Sequence, residues 1–169
     1  MGAISTVARV VHVLILSVWF GASVFFVAVL APEAFSVLPS RELAGTLITS
    51  TLNRIDLFGL IGGPVLLVTL LAGWAGLGVP IKLRALFCLL MTVATGVSGR
   101  WLTPEMVRLR QAMGRKIEDV AATDPLKIEF GRLHTISTSL MAVHLLLAFI
   151  LIVYAMSATA PKKKYGIEL

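Results

Sequence analysis

Between Val10 and Ala31 the chain has 22 consecutive residues without Asp, Glu, Lys or Arg. A helix rising ~1.5 Å per residue crosses a ~30 Å hydrocarbon layer in that length. A second uncharged run covers Leu57 to Val79, 23 residues. Two further apolar runs lie at about Ala85 to Leu102 and Leu133 to Met156. Backbone polar groups find no water in hydrocarbon, so such runs must be helical. The pattern predicts an all-α integral membrane protein, a four-transmembrane-helix bundle forming one domain over residues 1–169. Only Arg9 precedes the first run, which is also longer than the roughly 7–15 apolar residues of a signal peptide. A retained spanning helix is therefore expected.

Composition agrees. The chain is 57% hydrophobic and 14% charged, with mean hydropathy +0.92. A soluble domain is nearer half apolar and a quarter charged. The net charge of +6 falls at the ends of the runs. There it serves topology and anionic headgroups, and nucleic acid is not expected as a partner. The expected partner is the lipid bilayer, in a plasma or inner membrane. Association into a homo-oligomer or a larger membrane complex stays open. The single Cys88 allows no intrachain disulfide.

One long polar stretch interrupts the apolar pattern. Arg100 to His134 holds seven basic residues, five acids and one of the three His. Thr103-Pro104-Glu105 reads as a helix start with Thr103 as cap. Met106, Leu109, Met113, Ile117 and Val120 share a face, which predicts an amphipathic interfacial helix over about 103–121. A weaker one is predicted over about 40–53, capped by Ser40. Asp124-Pro125 starts another helix, expected to continue into the fourth run.

The two halves repeat an order of parts. The first run ends in Ala31-Pro32-Glu33 and the third in Thr103-Pro104-Glu105. The runs that follow begin Asn53-Arg54-Ile55-Asp56 and Gly131-Arg132-Leu133-His134. A parallel repeat predicts a pseudo-two-fold axis along the membrane normal. Basic residues divide 6 on the face of the termini and 9 on the other. This leans towards connections in the cytoplasm.

Two sets of residues could carry chemistry. Arg54, Asp56, Arg100, Trp101, Glu105, Arg132 and His134 are expected at one membrane face as a polar ring. It would be either a network of ion pairs or a vestibule for an anion, a headgroup or a metal. The second set is His12, Met141 and His144, buried in the apolar runs. They are candidates for soft copper or, as a His pair, for haem. The structural alternative is a His bonded to a backbone carbonyl or a hydroxyl across a helix interface. No nucleophile elbow, phosphate loop or zinc-protease motif is present, so an enzyme is the less favoured reading and no catalytic residue is assigned.

The segments Gly99-Arg100-Trp101-Leu102-Thr103-Pro104-Glu105 and Asp124-Pro125 through Phe130-Gly131-Arg132-Leu133-His134 resemble the transmembrane-protein-205-like family, the four-span domain of unknown function 4149 group. His12, Trp19, Gly21, Phe26 and Pro32 are similar to the first span of copper-resistance D-type proteins and, more loosely, of the four-span protoporphyrinogen oxidases. The first resemblance implies a transporter or tolerance factor for a metal ion or small cation complex. The second makes His12 and the Met and His residues of span four metal candidates. The third would make His12 a haem ligand in a membrane oxidoreductase. A subunit of a larger membrane complex is the alternative from a different class.

Overall fold

A computed structural model describes residues 2–74 and 80–157. The 75–79 turn and the basic tail at 162–164 lie outside the described residues. Four long helices make up the molecule: α1 (Ala3–Val37), α2 (Arg41–Trp74), α3 (Ile81–Ala112) and α4 (Pro125–Ser157). Each is long and apolar enough to cross a membrane. Neighbours in sequence run antiparallel, and α1 also packs against α4, which closes the bundle.

The helices outrun the bilayer. Arg54, Arg100, Trp101 and Arg132 are all exposed. Measured along their helices, Lys82 to Arg100 spans ~27 Å, Arg54 to Trp74 ~30 Å and Arg132 to Tyr154 ~33 Å. A hydrocarbon layer of ~30 Å fits between those two levels. Beyond the arginine level the helices continue for several turns, and the end of α3, the connection after it and the start of α4 form a lobe with its own apolar core. Leu102, Leu109, Met113, Val120 and Leu133 are its buried centre, with Met106, Ile117, Leu126 and Phe130 packed around them.

This corrects the two predicted interfacial helices. Residues 41–53 are the first turns of α2, and 103–112 are the last turns of α3. Ser40 does cap, its Oγ accepting from Leu43 N at 3.2 Å. Asp124 does too, its Oδ1 accepting from Leu126 N at 2.8 Å. Thr103 does not: it is helical, with φ −64° and ψ −48°. Helix α3 ends at Ala112 because Gly114 turns the chain at φ +63°, the left-handed stop that glycine adopts freely. Only a short 3-10 turn, Ile117–Asp119, follows.

Pro32 and Pro104 were expected to mark helix boundaries. A proline ring crowds the carbonyl four residues back and supplies no N–H. Here each proline follows a single π-helical turn, Phe26–Leu30 and Ser98–Leu102. Ala31 N donates to Phe26 O and Thr103 N to Ser98 O, one residue wider than an α-turn. The widened turn makes room for the ring, and the helix runs on.

These turns lie 72 residues apart, and the repeat extends along both helices. His12, Leu16, Trp19, Ser23 and Phe26 are the buried row of α1. Arg84, Cys88, Met91, Thr95 and Ser98 are the buried row of α3, each 72 residues on. The same stripe is thus used twice, with different chemistry.

Candidate functional site

The polar ring is not assembled as a ring. Arg54, Arg100, Arg132 and His134 are exposed. Two members of the set pair within their own helices. Glu105 pairs with Arg108, and Arg132 with Glu129 at 3.5 Å, both three residues apart in one helix. The His134 ring stacks on Phe130, 6.3 Å between centroids. Trp101 is 58% exposed at the headgroup level. Positions 54, 100 and 132 fall off the buried stripes, and short-range partners are cheaper to order than cross-helix ones.

Asp56 alone turns inward. It is 5% exposed and its Oδ2 accepts from Ser98 Oγ at 3.1 Å. Gly99 lets the carboxylate sit against α3, since a Cβ there would come 3.1 Å from Asp56 Cβ. Among the described residues no Lys, Arg or His forms an ion pair with it. A buried carboxylate with one hydrogen bond is costly, and such groups in membrane interiors are functional candidates.

Asp56 opens onto a cavity of about 20 Å³, lined also by Trp19, Thr95, Ser98, Ser137, Met141 and His144. That volume holds about one water molecule and is too small for a porphyrin. His144 is 5% exposed and lies twelve residues, ~18 Å, beyond Arg132, so near the middle of the layer. Its ring packs at a tilt against Trp19 with centroids 4.5 Å apart, and its Nε2 is buried without a hydrogen-bond partner among the described residues. The site therefore reaches from the arginine level to the bilayer centre.

Beyond it the interior is apolar. Leu16, Trp19, Leu66, Cys88, Met91, Ala148 and Leu151 form a buried layer across the bundle. Past that layer lies His12, whose Nδ1 is 3.1 Å from Leu66 O and 3.0 Å from Thr69 Oγ1. Its ring meets Trp74 edge-on at 5.1 Å. This is the structural alternative named for a membrane histidine. His144 packs on Trp19, seven residues or about two turns along α1 from His12, and His12 is turned to Leu66, Thr69 and Trp74 of α2, so the two do not face one ligand and haem ligation by the pair does not fit. Among the described residues no three His, Cys, Asp or Glu side chains converge as a metal set.

The structure thus joins members of both predicted sets, Asp56 from the ring with Met141 and His144 from the apolar runs. Arg84 was missed. It is 4% exposed, although an Arg four residues into α3 reads as a headgroup anchor. The signal was present: 84, 88, 91, 95 and 98 share one helical stripe.

The family model described as domain of unknown function DUF4149 matches residues 14–115. The chain belongs to that family. The match contains the α1, α2 and α3 sides of the cavity, including Trp19, Asp56 and Ser98, while Met141 and His144 of α4 lie outside it. No curated protein and no solved structure matches the chain significantly.

Proposed function

We propose that this membrane protein is a carrier of small cations that load at the Asp56–His144 cavity. One observation carries the reading. A buried carboxylate without a cationic partner and a buried imidazole nitrogen without any partner line the same interior space. Negative charge favours a cation there, and Ser98, Ser137 and Thr95 offer oxygens to replace its water. Met141 and His144, three residues apart on one wall, add soft donors. A soft monovalent metal is therefore the first cargo to test. The apolar layer beyond the cavity is the barrier that cargo would have to pass by movement of a helix.

The experiment is uptake into proteoliposomes under an imposed membrane potential, with Ag⁺ as probe and a proton-sensitive dye inside. Uptake above empty vesicles is expected. Asp56→Asn and His144→Gln should each lower it about 10-fold or more, since each removes a group worth roughly one charged hydrogen bond. Uptake indistinguishable from empty vesicles for both ions sinks the proposal. So does full uptake by both variants.

A further inference from the structure

The opposite end of the bundle holds a second cluster, built from all four helices. Trp74, the last described residue of α2, is fully buried and its indole Nε1–H has no acceptor among the described residues. The guanidinium of Arg84 lies 5.8 Å from the Trp74 ring and 5.3 Å from the Tyr154 ring. Its Nη2 donates to Tyr154 O at 2.9 Å, but its Nε–H is buried with no acceptor among the described residues. The guanidinium of Arg9 lies 5.5 Å from the same indole, with Nε donating to Gly73 O at 2.7 Å. Among the described residues no carboxylate pairs with Arg84.

Two cations therefore converge on one indole, and among the described residues two buried N–H donors have no acceptor. Aromatic faces offset part of the charge but satisfy neither donor. Leaving a buried donor unmade is costly, more so on a charged group. A carboxylate would cure this, yet Asp56 is across the apolar layer and no other acid is near on these helices. Among the described residues, what the Trp74 Nε1–H and Arg84 Nε–H lack is an anionic acceptor with several oxygens. Guanidinium groups match phosphate oxygens in number and geometry. The level is right as well. Arg84 is the fourth residue of α3, within ~5 Å of the helix start, where headgroup phosphates lie.

We infer that Arg9, Trp74 and Arg84 form a phosphate-binding site, filled by an anionic lipid headgroup or by free phosphate. It is separate from the Asp56–His144 cavity, and it stands whether or not the bundle carries cations.

The test uses the full chain purified in mild detergent. Native mass spectrometry compares retention of dioleoyl phosphatidylglycerol with that of dioleoyl phosphatidylcholine. Thermal unfolding is recorded in parallel, with inorganic phosphate against chloride at matched ionic strength. The variants are Arg84→Lys and Trp74→Phe, with Arg115→Gln as an exposed cation at the far end. Trp74→Phe keeps an aromatic ring while removing the N–H together with part of the ring area, so it remains informative if Arg84→Lys does not fold. The parent should favour the phosphatidylglycerol by about 10-fold, or be stabilised by phosphate. Trp74→Phe should reduce that preference about 3-fold and Arg84→Lys about 10-fold, with Arg115→Gln unchanged. Lipid preference lost in the site variants without a phosphate effect identifies the headgroup. A phosphate-dependent shift confined to proteins with the site intact identifies the free anion. Equal retention of both lipids with no phosphate effect overturns the inference, and so does an equal loss in Arg115→Gln.

Discussion

Helices α2 and α4 occupy equivalent places in the two halves, yet they pack differently. On α2, Gly59 lies against the Trp19 ring and Gly63 against Thr92, both closer than any side chain would allow. Setting Arg54 beside Arg132 puts Ser137 and Met141 of α4 at the matching positions. There the helix is held off by side chains, and there the cavity lies. The same scaffold is closed tight on one side and left open on the other. A chain that duplicates a helix pair can keep one copy as a frame, and the second is then free to hold chemistry. Leu66 and His144 show the exchange in a single pair: both are buried, one in the apolar layer and one on the cavity wall.

The largest predicted effect is at the tight interface. Gly63→Leu has no room, because the neighbour is the stem of Thr92 on a packed helix and not the end of a flexible chain. Overpacking of this kind costs roughly 1–3 kcal/mol, and the upper end is expected here. Thermal unfolding in detergent measures it. A Gly63→Leu protein as stable as the parent would mean that α2 and α3 are not this close, and the contrast with α4 would be lost.

The two intramembrane histidines sharpen the contrast at the next magnitude. His12→Phe keeps the ring volume but loses the bonds to Leu66 O and Thr69 Oγ1. A loss of about 1–2 kcal/mol is expected. His144→Phe removes a buried nitrogen that has no partner, so stability should hold or rise slightly, by at most about 1 kcal/mol. The signs differ because one histidine is part of the frame and the other lines the open side. Equal destabilisation of both would erase that distinction.

The fold could be read from the sequence because membrane spans are written in length and hydropathy. The caps at Ser40 and Asp124 were legible too, since their chemistry is local. The lobe was misread. The apolar face of 103–121 was taken as resting on lipid, but it is buried against Leu126, Phe130 and Leu133 of α4. Hydrophobic pattern shows that a face is covered, not by what. The prolines misled for a related reason, as a π-turn leaves no composition signal. For the site, Asp56 and His144 were each visible as costly residues in apolar helices. Their meeting was not, because it depends on how far α4 stands from α2. That distance is set by residues such as Ser137 and Met141, which say little by themselves.

The smallest predicted change in stability tests that last point. Ser137 is half-buried on the cavity wall, opposite the position that Gly59 fills on α2. Ser137→Val replaces the hydroxyl by a methyl and adds a second methyl, for which the cavity has room, so stability should stay within about 0.5 kcal/mol of the parent. Function should not follow stability. A branched apolar side chain would take up the cavity space between Asp56 and His144, and Ag⁺ uptake should fall. If Ser137→Val melts like Gly63→Leu, α4 is packed as tightly as α2 and the cavity is closed in solution. If it is stable and still takes up Ag⁺ at the parent's rate, cations do not pass Ser137. The open side of the bundle would then need another explanation.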